Sequence, residues 1–431
     1  MAVTAWASGF APIPALPAAA APFQIAGNSG WSNASSTTVQ NGVAYTKAHP
    51  SGRTTGAILT KNPTSATFNG AKNTTIPGSF KLSDYLLVGL DVLPSFVAGS
   101  IVLSFSSDNF ATKRVEFSFP YPSQFYNGDW NRMTVRTGAD GTIDPNGGTW
   151  SAFGGMLMTE TINEVRVSAS TTTNDACTIN VDKVFAFANT PARGAVMFGF
   201  DRYEDTSLPA IALPLAQKYG ITCYAAGDSN KIVGFGVNWA SVKQLCDAGW
   251  PILSQGPDHK DYVAAGATQL TTDVAISRAA FAAAGLGNAL DYFAYPLSSN
   301  NAFTDAALIA AGFKMASTGI AWNGHPNEYN LGYKLIGQGR VNIGGLTLTQ
   351  IKRLIDRAAV YGVIVDLFCH GLTAAGGSWD GNSPPADPLL QYDALIDAAI
   401  AYAAGYRAAG RIDITNPVAL FGARGSLPVV A

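Results

Sequence analysis

Asp201 and Arg202 stand side by side in "FGFDRYEDT" (198–206), directly after the apolar run "AVM", which reads as a strand. A carboxylate at a strand end can serve as a base or hold a metal; an arginine offers donors and a fixed positive charge and ligates no cation. Other strand ends carry Gln255 with His259 in "SQGPDH", Tyr295 and Pro296 in "YFAYP", and His370 after "VIVDLF". The chain has four histidines, and two of them, His259 and His370, fall at these ends. Imidazole titrates near neutral pH and binds zinc, so the set has the makings of a hydrolytic or metal site. Asp201 could instead cap the next helix, but Asp205 and Thr206 are better placed to do so. His49 and His325 lack such a context and read as surface residues. Cys369 adjoins His370, yet neighbours on a strand point to opposite faces, so no Cys/His pair is expected. "GDSN" (227–230) reads as a turn.

The elements that must position these groups change character near 190. From about 31 to 190, runs such as "YLLVGLDV", "SIVLSF", "RVEFSF" and "TINVDKVFAFA" lie between Gly/Asn/Asp/Ser turns with a period of two. That pattern predicts an antiparallel β-sandwich of jelly-roll type, like a carbohydrate-binding module. After "ANTPARG" (188–194), strand-like runs alternate with helical stretches at 207–219, 239–249, 269–285, 302–312, 347–361 and 391–409. The runs "AVMFGF", "ITCYAA", "PILSQ", "YFAYP", "KMAST", "VIVDLF" and "RIDIT" predict a parallel α/β barrel of about seven strands over 194–431. Residues 1–30, rich in Ala and Pro, predict an extended arm able to pack along a neighbouring subunit.

The 431 residues imply two or three domains, and a net charge of −2 removes the electrostatic footprint of a nucleic-acid or anionic-membrane binder. Charged residues make up only 13% of the chain, which suits a β-rich secreted or virion-surface protein. Cys177, Cys223, Cys246 and Cys369 have no metal-site spacing and read as buried thiols. No Lys or Arg precedes Lys47 and prolines break the first apolar run, so no secretory signal is expected. No stretch has the roughly 18 apolar residues of a membrane helix, so no membrane insertion is expected either.

Four motifs in order resemble the polysaccharide deacetylase family, carbohydrate esterase family four, over about 194–431. "GFDRY" (199–203) resembles the family's T-F-D-D-G, and "GWPILSQGPDH" (249–259) its H-[ST]-x-x-x-H segment. "YFAYPLS" (292–298), followed by "AGFKMAST", and "IVDLFCHG" (364–371) resemble the later motifs. The resemblance implies a distorted (β/α)7 barrel that deacetylates a polysaccharide. It also implies a first Asp as base, a second Asp and two histidines holding a divalent metal, and a later histidine as acid. Position by position, Asp201 is the base, His259 a metal ligand if metal is bound, and His370 the acid. The second Asp has become Arg202 and the first metal histidine Gln255.

Those two departures bear directly on the chemistry. A guanidinium about 4 Å from a dication costs on the order of 8 kcal/mol at an effective dielectric of about 20. The expectation is therefore no bound cofactor, with Arg202 filling the metal's space, paired to Asp201 or to a sugar oxyanion. Tyr203, Gln255, Tyr295 and Pro296 join Arg202 as candidate substrate contacts. Tyr203, Trp239, Tyr295, Trp322 and Trp379 are aromatics near loops that could stack on sugars. The alternative is an active zinc-dependent deacetylase with ligands shifted to Asp205, Asp258 or Asp261 beside His259. The layout also resembles bacteriophage tail-associated proteins, which implies an extracellular or virion-surface homotrimer that recognises a host polysaccharide and binds other tail proteins.

Overall fold

The computed structural model describes residues 23–422 apart from 35–36, 48, 50–52, 62–68, 86, 96–98, 121–129, 138–149, 171–176, 188–192, 203–205, 232–237, 287–290, 321–335, 362–363 and 377–378. Up to residue 187 the strands form two antiparallel sheets. One runs Thr37–Ala44, Thr55–Lys61, Thr178–Phe187, Leu87–Pro94, Asn131–Arg136; the other runs Ser151–Phe153, Arg114–Pro120, Ser100–Ser106, Glu164–Ser170, Asn69–Asn73, Ser32–Asn33. Alternate residues such as Val88, Leu90 and Val92 share one core with Leu103, Phe105, Val165 and Val167, the packing of a β-sandwich. Part of the expected arm belongs to it: Phe23–Ala26 pairs with Thr178–Phe187, Phe23 opposite Ala186. Phe23 stacks on Phe80 at 5.7 Å, which anchors that strand. Residues 1–22 lie outside the described ones.

The second half is a closed parallel barrel. Its seven strands are Gly194–Asp201, Tyr224–Gly227, Ile252–Ser254, Tyr292–Ala294, Met315–Ile320, Ile336–Asn342 and Ile364–Cys369, and the seventh pairs back to the first. The sequence expectation differed in one strand. "RIDIT" supplies Ile412–Thr415, which pairs with the outer start of the first strand as an eighth, while the sixth barrel strand, "IGQGRVN", lacks the apolar run that marks the others. Helices, including Trp239–Asp247, Ala267–Ala283, Ala302–Ala310, Leu348–Tyr361 and Asp393–Ala408, flank the strands. Asn238 caps the first of these, and Asn301 and Thr304 form a capping box on the third. None is long and apolar enough to cross a membrane.

Period two decides what reaches the lumen. On the first strand, Val196, Phe198 and Phe200 face the helices, and Phe200 stacks on Trp250. Ala195 and Met197 face inward and meet Tyr224, Ala226, Leu253, Tyr292, Ala294 and Met315 at the bottom of the barrel. The same alternation, continued toward the carboxyl ends, turns Asp201, Asp228, Gln255, Asp366 and His370 inward. Cys369 lies in the helix-side core, apart from His370, and all four cysteines are buried and form no disulfide.

Candidate active site at the barrel mouth

Asp201 closes the first strand and is 3% exposed. Both its oxygens are taken by one arginine: Arg340 Nη1 donates to Oδ1 at 2.6 Å and Nη2 to Oδ2 at 2.8 Å. Gln255 Nε2 adds a third bond to Oδ2 at 3.3 Å. Arg340 is 1% exposed and its guanidinium lies 4.0 Å over the Phe368 ring, so the pair is sealed from solvent and planar on both sides. The partner expected for Asp201 was Arg202. Instead Arg202 leaves the strand with φ +64 and is exposed, because the pleat that turns Asp201 inward cannot turn its neighbour inward too.

Beneath this pair, Tyr224 donates to Asp366 Oδ1 at 2.6 Å. Gly199 makes room for the tyrosine: a Cβ there would sit 2.0 Å from the Tyr224 ring. Burial pushes the Asp366 carboxyl up to about 7; Arg340 and the Tyr224 bond pull against it and Asp201 adds to it. Burial also lowers the pKa of His370, opposed by Asp201 and reinforced by Arg340, Arg202 and His259. All five of these groups therefore act electrostatically at one place. Buried atoms without a hydrogen-bond partner cluster there as well: Gln255 Oε1, Ser317 Oγ, Arg340 Nε, Asp366 Oδ2 and His370 Nδ1.

His259 sits on the loop after the third strand with φ +57, a conformation uncommon outside glycine. Its Nδ1 lies 3.2 Å from Asp228 Oδ2, and Lys231 Nζ donates to the same oxygen at 2.9 Å. "GDSN" is a turn, as its composition implies, but its aspartate has this second task. Ser229 is buried and shares a hydrogen bond with Ser277, which leaves it unsuited as a nucleophile.

Other expected contacts fall away from the mouth. Tyr295 is 1% exposed and donates to Asp305 Oδ1 at 2.8 Å on the helix side, since Ala294 before it faces inward. Pro296 is buried and opens the turn Pro296–Ser298. Trp239 packs edge-on against Phe281, and Trp379 donates to the Ser383 carbonyl while packing on Tyr392. Tyr203, Asp205, Trp322 and His325 lie outside the described residues. His49, read as a surface residue, is instead 3% exposed in the sandwich, edge-on to Trp130 at 4.6 Å and 3.7 Å from Asp182, whose carboxylate it faces.

Arg340, Asp366 and Asp228 were missed by sequence reasoning. A usable signal existed for the first. About 45 residues separate the strands before and after helix 347–361, room for a further strand, and Arg340 is the charged residue within "IGQGRVN".

The family model described as Polysaccharide deacetylase matches residues 188–316. This stretch belongs to the polysaccharide deacetylase family. No curated protein sequence matches the chain. Among solved structures, the chain is similar to a family 4 carbohydrate esterase from Streptomyces lividans bound to acetate, at 16% identity, covering 51% of this chain and 91% of that one with a TM-score of 0.35. It is similar also to the chitin deacetylase of Colletotrichum lindemuthianum, at 13% identity over 55% and 89% with a TM-score of 0.36. A CE4 family pseudoenzyme from Bacillus anthracis matches at 11% over 55% and 70%, again at 0.36.

Deacetylases of this family typically depend on a metal, and the mouth residues do not fit one. Asp201 spends both oxygens on a guanidinium and Gln255 presents an amide, so of the family's metal-holding positions only His259, oriented through Nδ1 by Asp228, keeps an imidazole. Asp261 caps a short helix through Val263 and Ala264, and Asp258 accepts from Asn230. Among the described residues, His49, Asp91 and Asp182 alone bring three ligand atoms within 4.8 Å, and they lie in the sandwich. There, Arg53 holds Asp182 at 2.7 Å and Lys183 stands 4.0 Å from Asp91, so cationic side chains already offset that negative charge.

Proposed function

We propose that this chain recognises a glycan at the mouth of a deacetylase-type barrel that has lost the family's metal. The Arg340–Asp201 fork carries the reading: a buried cation holds the carboxylate a metal-assisted reaction needs. The unpartnered Gln255 Oε1, Ser317 Oγ and His370 Nδ1 support it, since buried polar atoms left over around a cleft are what hydroxyl groups of a sugar satisfy. In that role Arg340 holds Asp201 in place, Gln255 bridges Asp201 to the ligand, and His370 offers its ring nitrogen. Any hydrolysis is slow and metal-independent, because Arg340 and His370 lower the pKa of a bound water far less than zinc does.

The sandwich is the second saccharide-facing module of a secreted or virion-surface assembly, such as a trimeric tail fibre. Its low charge and placement before the barrel support this, and a monomer in solution scattering would count against it.

Elemental analysis of the purified protein tests the central claim. The expected result is far less than one zinc, cobalt or nickel ion per chain, unchanged after dialysis against each metal. About one tightly held ion per chain, the stoichiometry of a zinc site, overturns it.

A further inference from the structure

Two neighbouring helices of the barrel show solvent a surface without charge. Ala267–Ala283 and Ala302–Ala310 share one core, in which Leu270 and Val274 of the first and Leu308 of the second pack with Phe293, so their outer faces lie side by side. Along those faces Ala275, Ile276 and Ala279 on the first helix and Phe303, Ala306 and Ile309 on the second are all exposed. Phe303 is 76% exposed and Ile309 61%. The charged residues these helices do possess are turned elsewhere. Asp273 is buried and accepts from Lys260 and Tyr262, and Asp305 is buried and accepts from Tyr295. Arg278 lies over the Phe313 ring and donates to the Ala311 carbonyl at 2.6 Å. The other barrel helices differ: Lys218, Lys243 and Arg353 are exposed on Leu213–Lys218, Trp239–Asp247 and Leu348–Tyr361, and Asp397 is partly exposed on Asp393–Ala408. Apolar side chains gathered on one exposed face mark an interaction site, as single ones do not.

We propose that this face joins two copies of the chain, each laying Ala267–Ala283 and Ala302–Ala310 on the same helices of the other. The absence of charge selects the partner: a charged surface docked there would leave its own ions desolvated and unmatched, while a second copy brings a face equally free of them. With no exposed Lys or Arg on the face, an anionic membrane has nothing to hold. Alanines at 275, 279 and 306 let helix axes approach to about 8–10 Å, and Ile276, Phe303 and Ile309 supply apolar area. The two helices have 17 and 9 residues, and the 4-residue Tyr262–Ala265, with Val263 exposed, precedes them. At about 1.5 Å per residue and a diameter of about 11 Å they present roughly 500 Å². Two copies then bury about 1,000 Å², the size at which specific interfaces begin. Because one face serves on both sides, the contact is closed and pairs copies two by two.

Sedimentation equilibrium of the full chain over about 1–100 μM, the range of modest specific interfaces, tests the assignment. The expected mass is that of an even number of chains, either one pair or two trimers joined, and Ile276→Glu combined with Phe303→Glu is expected to halve it. Phe303→Ser removes the ring without adding a charge and is expected to weaken the pairing about tenfold or more. Leu157→Lys, on the sandwich and as exposed as Ile309, is expected to leave it unchanged. A mass of one chain or of three overturns the pairing, and so does an even mass that the double Glu variant leaves intact. Circular dichroism and urea midpoints report whether each variant is folded; should the double Glu variant misfold, unchanged pairing in Phe303→Ser overturns the proposal in its place. A mass of three removes this contact and leaves the trimeric assembly proposed above standing.

Discussion

Arg340 is the residue on which the chemistry of the mouth turns. It is fully buried, and it owes its charge in that place to a single carboxylate held by two parallel bonds. Removing one member of such a pair leaves the other charge stranded, which costs about 3–5 kcal/mol in buried sites. Arg340→Met is therefore expected to lower stability by that order in urea denaturation, whereas Arg340→Met combined with Asp201→Asn recovers much of the loss. A double variant no more stable than Arg340→Met would show that the pair is not the unit of stability. Asp201, Gln255, His259 and His370 were legible as residues because each stands at a strand end. Their partners were not: no spacing in the sequence says that the guanidinium on Asp201 comes from position 340 and not from position 202.

The elements were legible where their periodicity was strong. Alternating apolar runs marked the sandwich, and apolar strands between helices marked six of the seven barrel strands. The sixth, Ile336–Asn342, escaped because it carries two glycines and few apolar residues, so its place is set by its neighbours: it pairs with Met315–Ile320 on one side and Ile364–Cys369 on the other. The first strand shows the reverse, a local requirement that can be read only in three dimensions. Gly199 pairs with Tyr224 in register, and its missing Cβ leaves the volume in which the tyrosine ring reaches Asp366. Gly199→Ala puts a methyl group 2.0 Å from that ring, closer than any relaxed contact. The expected cost is about 1–3 kcal/mol, the range for overpacked cores. Tyr224→Phe in the Gly199→Ala background is not expected to restore stability, since the clash is with the ring and not only with its hydroxyl. Wild-type stability of Gly199→Ala in thermal denaturation would contradict this account of the strand.

At the scale of the whole molecule, the lumen couples stability to pH. Asp366 lies beside a guanidinium already committed to Asp201, and burial raises its carboxyl to about 7. In the unfolded chain the same group titrates near 4. Below about pH 4 both states hold the proton and the stabilising term is fully present. Between about 4 and 7 the unfolded chain has released its proton while the folded one keeps it, so stability falls as pH rises, by up to about 1.4 kcal/mol per pH unit. Above about 7 the loss is complete and the curve levels. His370 acts in the opposite sense: its lowered pKa makes the folded state give up a proton that the unfolded chain keeps, and stability rises with pH toward the ordinary histidine range. Comparison with Asp366→Asn cancels the histidine term, because both proteins retain it, and the asparagine has no proton to lose. Urea midpoints measured near pH 4.5, 6 and 7.5 are expected to show the wild type losing ground to Asp366→Asn at each step, with little further change by pH 8.5. A constant difference across that range would mean that Asp366 is ionised throughout and that Arg340 is shared between two carboxylates.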